Sequence, residues 1–151
     1  MKAIYVGDAK DVIKRIRTNH RNGNIEASAL RKHIAKEKGY PIKTTPRSSG
    51  SLRVRLDIPD PHAGEQDITA YMKEGVWMFI FCNSYEEAHD FQWYVIEMLA
   101  PQLNADRKSW NMQYLTRYKS LFAELSNANS LSCDQLKDVT KSEPGVYVFY
   151  H

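Results

Sequence analysis

Two cysteines in 151 residues, Cys82 and Cys133, are too few for a disulfide framework and show no metal-ligand spacing. No apolar run approaches the roughly 18–20 residues a transmembrane helix needs, so no membrane partner is expected. The first residues lack the layout of a signal peptide, because Lys10, Lys14 and Arg15 interrupt before an apolar stretch develops. The expected compartment is therefore the cytoplasm. Internal repeats and low-complexity tracts are also missing. What remains is ordinary globular composition, with 42% apolar and 26% charged residues, at a length that suits one domain.

Charge is unevenly spread. Residues 1–55 carry 14 Lys/Arg against 4 Asp/Glu, whereas residues 56–151 carry 7 against 14. A basic half of this kind fits a face that meets phosphate, with the remainder keeping the chain soluble.

Ala3-Ile4-Tyr5-Val6 alternates and ends at Gly7, a short strand followed by a turn. Asp8 is placed to cap a helix from about Ala9 to Asn19, and Asn22-Gly23-Asn24 breaks it. A second helix opens near Ser28 and ends at Gly39. Lys43 to Ser51 reads as a polar basic loop, and Leu52 to Ile58 alternates strictly, as a half-exposed strand does. Pro59 to His62 is a turn, with a short helix from Gln66 to Lys73. The continuous apolar run Val76–Cys82 suits a buried strand in mid-sheet. Helices are expected from Asn83 or Ser84 to Leu99, from Trp110 to Leu125 and from Ser132 to Asp138. A final strand covers Val146 to Tyr150. The aromatic stripe Trp110, Tyr114, Tyr118 and Phe122 reads as core packing. The sum is an α+β fold: a small, mostly antiparallel central sheet of three to four strands flanked by helices.

Read with its end before its beginning, the chain presents Gly145-Val146-Tyr147 and then Tyr5-Val6-Gly7. That pair resembles the GIY-YIG nuclease family, whose two triplets lie on neighbouring strands of one antiparallel hairpin. Ten residues after Tyr5 comes Arg15, where the family places its catalytic arginine. His20 follows five residues later, one position beyond the family's histidine. Ser28-Ala29-Leu30-Arg31-Lys32-His33 resembles the basic second helix of many members, and Asn104 falls in the family's asparagine segment. The resemblance implies a circularly permuted domain, with nine steps between the two tyrosines if the ends were joined. The break would fall in the hairpin turn, a loop tip where permutation is tolerated. Residues 1–151 would form a single domain with an insert at about 40–75, extra helices at about 105–140 and a closing strand at 145–150. The final strand would pair with the first either within one chain or across a strand-exchanged homodimer.

The resemblance also implies a divalent-metal-dependent endonuclease acting on DNA, or on RNA, with one Mg²⁺ or Mn²⁺. Tyr5, Tyr147, Arg15, His20 and Asn104 would be the catalytic set. Phosphodiester hydrolysis needs a positioned water, a proton acceptor and positive charge on the phosphoryl oxygens. An arginine grips those oxygens bidentately. A tyrosine, with an ordinary pKa near 10, serves as base only where neighbours lower it, and otherwise orients the water. Gln92 aligns with the family's metal-binding glutamate, and a glutamine offers a carbonyl oxygen without charge. Asp90 and Glu97 are the substitute carboxylates on that helix. Lys14, Arg31, Lys32, Lys43, Arg47, Arg53 and Arg55 are candidate nucleic-acid contacts. Two rival readings stand beside this one: a nuclease-derived module that binds nucleic acid without cutting, and a basic domain that docks an acidic protein.

Overall fold

The computed structural model describes residues 1–151. Strand β1 (Ala3–Ala9) leads into a short helix α1 (Val12–Lys14), which continues as a π-helical segment over Arg15–Arg21. Helix α2 (Ala29–Glu37) follows, then β2 (Ile42–Pro46), β3 (Leu52–Leu56), α3 (Pro61–Glu74), β4 (Val76–Phe81) and α4 (Tyr85–Leu99). A 3₁₀ turn (Met112–Tyr114) enters α5 (Leu115–Ser126), a second (Gln135–Asp138) replaces the expected helix at Ser132–Asp138, and β5 (Gly145–Tyr150) ends the chain. No helix is long and apolar enough to cross a membrane.

The main sheet is antiparallel, in the order β1-β5-β4. The last strand thus lies in the middle, and Val76–Phe81, expected in mid-sheet, is an edge. Its apolar run has another cause: helices cover both faces of the sheet, so even an edge strand needs apolar residues on both sides. Residues Gly145 to Phe149 are all buried. The first and last strands zip together to the chain ends, where Lys2 and His151 exchange backbone hydrogen bonds of 3.1 Å.

Side-chain alternation along the strands separates two apolar cores. Tyr147 and Phe149 join Trp77, Ile16, Leu30, Ile34 and Ile68 under α1, α2 and α3. Val146 and Val148 join Val6, Phe91, Val95, Tyr118 and Leu121 under α4 and α5. Tyr118 and Phe122 pack there as the stripe suggested, while Tyr114 stays exposed.

Helix starts follow side-chain caps. Ser28 accepts from the Arg31 amide, Asp60 from Ala63 with Pro61 in the first turn, and Ser84 from Glu87. The Asp60 cap explains why α3 begins five residues earlier than expected. Asp8 is not the first cap: β1 runs through Ala9, and Asp11 caps α1 instead. Ser142 also bonds Asp11, and the Val12 amide donates to Glu143 at 3.2 Å, so the entry to β5 holds the entry to α1. Residues 43–46, expected as loop, pair with β3 as a separate two-stranded ribbon.

Candidate active site

The register sets Gly7 directly opposite Tyr147. A Cβ on Gly7 would overlap the Tyr147 phenol, so only glycine lets that ring lie flat across β1. Tyr147 is 1% exposed. Its Oη meets His20 Nε2 at 2.6 Å, and His20 Nδ1 meets Ser28 Oγ at 2.6 Å. The imidazole is fully buried and stacks on Trp77, with ring centres 5.7 Å apart and planes 5° apart. Tyr5 lies edge-on to His20 at 6.3 Å and close to Tyr147 and His33.

The five-residue step from Arg15 to His20 is accommodated by the π-helical turn. In an α-helix, residues five apart point about 140° away from each other. A π turn, with its i to i+5 bonds, takes in the extra residue and brings the two side chains towards one face. The positive charge of Arg15 accordingly acts on Tyr5, His20 and Tyr147 together.

Burial dominates the protonation of this cluster. It pulls His20 down to about 3, helped by Arg15 and Arg31, so the ring is neutral at ordinary pH. It lifts Tyr147 far above the usual phenol range, with Tyr5 adding to the rise and Arg15 opposing it. Tyr5 is raised too, burial outweighing Arg15. Both phenols are therefore protonated near neutrality in the free protein, which suits them to orienting a water or a phosphate oxygen.

A carboxylate whose charge acts on both tyrosines is one that sequence reasoning missed. Asp8, the residue after the Tyr5-Val6-Gly7 triplet, shares the α4 side of the sheet with Val6. Its Oδ2 is 2.8 Å from His89 Nδ1 and 3.0 Å from Gln92 Nε2, and those two nitrogens lie 3.2 Å apart. Asp8 and Arg15 line one open depression of about 370 Å³, with Lys10, Asn19 and Tyr85. Asp8 pairs with His89, not with Arg15. Strand alternation alone sends Asp8 towards the helix of Gln92, and that was the available signal.

The substitute carboxylates on α4 lie elsewhere. Asp90 accepts from Tyr118 Oη at 2.5 Å and the Asn111 amide at 3.0 Å, facing α5. Glu97 accepts from Trp110 Nε1 at 2.6 Å. Neither shares a helical face with Gln92, so the expectation that one of them replaces the glutamate is corrected. No group of three His, Cys, Asp or Glu side chains could hold a metal ion. Asp8 offers the one carboxylate here, and Gln92 and His89 both turn a nitrogen towards it, so Gln92 can lend its carbonyl oxygen to an ion only with the amide turned over. Such a set suits a hard divalent ion only if water and substrate phosphate fill most of its shell.

Asn104 is committed to the backbone of β1. It accepts from the Val6 amide at 2.8 Å and donates to the Val6 carbonyl at 2.9 Å. Gln102 and Leu103 amides bond the carbonyls of Ala3 and Ile4, so residues 102–104 run along the free edge of β1. The asparagine thus acts on the strand that carries Tyr5.

The basic candidates divide. Arg31 is fully buried, and its guanidinium donates to the His20 and Arg21 carbonyls, Thr69 and Glu65, at 2.7–3.3 Å. It therefore has no face for phosphate, which corrects its assignment as a nucleic-acid contact. Arg47 and Arg55 both pair with Glu26, at 2.6 and 3.6 Å, and Lys43 pairs with Asp57 at 3.7 Å. Lys14 and Arg53 are exposed, and Lys32 is half-buried.

The sequence of residues 1–124 matches the GIY-YIG catalytic domain. No match was found among curated proteins or among solved structures. The matched span stops short of Gly145-Val146-Tyr147, the triplet that the sheet sets beside Tyr5-Val6-Gly7. With four-fifths of its length covered by that match, and an α+β fold of small antiparallel sheets to carry it, this chain belongs to the GIY-YIG nuclease family.

Proposed function

We propose that this chain is a divalent-metal-dependent endonuclease that hydrolyses phosphodiester bonds in DNA, using one Mg²⁺ or Mn²⁺. The observation that carries the reading is that Arg15 and Asp8 line one open depression, while the charge of Arg15 also acts on Tyr5, Tyr147 and His20. The family acts on nucleic acid and generally uses a divalent metal, and a cation beside a carboxylate supplies both halves of that chemistry.

Arg15 forks onto the non-bridging oxygens of the scissile phosphate and gains most as charge builds there. Tyr147, braced by His20 and through it by Ser28, holds its hydroxyl in one orientation behind the phosphate. Tyr5 is half-buried, and its phenol orients the attacking water. Asp8 would hold the ion, and the carbonyl oxygen of Gln92 would join it once the amide, whose nitrogen now faces Asp8, turns over. When bound, such an ion polarises a phosphoryl oxygen and makes a coordinated water more acidic. Asp8 also favours cutting over mere binding, because a neutral Gln92 no longer leaves the centre without a carboxylate.

The strand order supports reading the chain as the family's domain with its hairpin opened at the turn. The pairing of β5 with β1 within one chain supports a monomer that carries a whole site as the working unit. The decisive variant is Arg15→Ala, which should abolish Mg²⁺-dependent nicking of supercoiled plasmid and leave the melting temperature unchanged. Nicking at the wild-type rate, in protein freed of contaminating nuclease, overturns the assignment.

A further inference from the structure

Helix α4 carries aromatic rings on a face that the two cores leave largely open. Tyr85, His89 and Trp93 follow one another at four-residue intervals, with ring centres 5.9 and 6.3 Å apart. Tyr85 and His89 belong to neither core, and Trp93 only borders one. The row begins in the depression of Asp8 and Arg15, which Tyr85 lines. It ends in a cavity of about 490 Å³ whose walls include Trp93, Trp110, Arg107 and Lys108. A cation stands over each terminal ring. Lys10 Nζ is 5.4 Å from the centre of Tyr85, and Lys108 Nζ is 5.3 Å from that of Trp93.

Tyr85 and Trp93 are half-buried, and rings of this kind beside lysine and arginine are a pattern by which proteins hold unpaired nucleic acid: bases stack on the rings and the backbone follows the charge. A duplex cannot use such rings, since its base faces are stacked on one another. From Tyr85 to Trp93 the helix rises about 12 Å, room for roughly three stacked nucleotides at about 3.4 Å each. Asp8 pairs with His89 in the middle of the row, which leaves Tyr85 and Trp93 as the rings for stacking. Glu97 is tied to Trp110 Nε1, and Glu86 points to solvent in the first turn.

We infer that this face of α4 is a track for an unpaired strand leaving the cleavage centre. The bases stack on Tyr85 and Trp93, and the phosphates meet Lys10, Arg107 and Lys108. The inference rests on the nuclease reading and specifies its substrate: nucleic acid with a single-stranded segment beside the cut.

Binding of a fluorescein-labelled twelve-residue oligo(dT), followed by anisotropy in EDTA, tests it without cleavage. Trp93→Ala should weaken oligo(dT) binding about tenfold, since stacking is worth roughly 1–3 kcal/mol per base. It should leave binding of a blunt twelve-base-pair duplex unchanged. Trp93→Phe, which keeps a ring and the packing against the core, should restore most of the affinity. Lys108→Glu, on the surface, should weaken oligo(dT) binding and flatten its salt dependence. The track is overturned if Trp93→Ala and Lys108→Glu bind oligo(dT) as the wild type does. It is equally overturned if both variants lose duplex binding by the same factor. Wild-type protein that nicks plasmid yet ignores oligo(dT) removes the track alone. Wild-type protein that neither nicks nor binds either nucleic acid removes the nuclease reading as well.

Discussion

Tyr147 Oη and His20 Nε2 lie 2.6 Å apart inside the protein, although 127 residues separate them in the chain. The bond joins the central strand to the π-helical turn that carries Arg15, so it couples folding to the geometry of the site. Tyr147→Phe keeps the ring over Gly7 but leaves His20 Nε2 without its partner in a dry environment. Removing one partner of a buried bond costs about 1–3 kcal/mol. The variant should therefore melt several degrees lower, remain folded at 25 °C, and nick plasmid far more slowly than its stability loss explains.

Acid should weaken the protein through His20. Its folded pKa of about 3 lies below the ordinary 6.5, so between these values the unfolded chain binds a proton that the folded one refuses. Stability is complete above pH 6.5 and falls by about 1.4 kcal/mol per pH unit below it. His33 is lowered as well, by burial and by Lys36 and Lys32, and adds in the same direction. His20→Gln retains a donor and an acceptor but cannot titrate. Urea titrations at pH 7.0 and 5.0 should show a large loss of stability for the wild type and a smaller one for His20→Gln. Parallel losses would place the acid sensitivity elsewhere.

Much of this site was legible in the chain because the two triplets and Arg15 sit on regular elements at fixed spacing. Tyr5, Gly7 and Arg15 are read directly from the strand and the helix after it. His20 looked one position late, since a count assuming 3.6 residues per turn cannot see a π-helical segment. Asp8 was overlooked because strand and cap both suit an aspartate after a Gly, and only the length of β1 decides between them. Long-range partners were invisible. Nothing near Arg31 announces Glu65, and nothing near Asn104 announces that its amide will pair with Val6. In the sheet, the apolar run of Val76–Phe81 reported two covered faces, which a central strand and a helix-sandwiched edge share.

Arg31 should prove a structural clamp. It ties the carbonyls that close the π-helical segment to Glu65 on α3, in a site where its charge is fully enclosed. Replacing one member of a buried pair strands the other, at about 3–5 kcal/mol. Arg31→Met should therefore lower the melting temperature sharply. At 10 °C, in whatever fraction remains folded, DNA affinity and its salt slope should match the wild type. A reduced slope with unchanged stability would instead mark Arg31 as a phosphate contact.

The cysteines should be inert in the folded state. Both are buried, with Cys82 pushed up to about 12 mainly by burial and Cys133 raised for the same reason. The thiolate is the reactive form. Iodoacetamide at pH 8 should label neither in native protein and both in urea, as read by intact mass.

Gln92 and Asp8 offer the sharpest test of how this chain holds its ion. Gln92 Nε2 donates to Asp8 Oδ2 at 3.0 Å, so the amide neutralises part of the carboxylate's need when no ion is bound. Gln92→Glu replaces that donor with a second negative charge at the same distance, and like charges this close repel. In EDTA the variant should melt lower than the wild type. With Mg²⁺ or Mn²⁺ the two carboxylates bind an ion in common, and a ligand held only by the folded state raises its stability. The metal-dependent rise in melting temperature should be larger for Gln92→Glu than for the wild type, and absent from Asp8→Asn. Manganese titration by electron paramagnetic resonance gives the same order without reference to cleavage. If Asp8→Asn keeps the wild-type metal response while Gln92→Glu also leaves it unchanged, the ion is held by other groups, and the nuclease reading must stand on Arg15 alone.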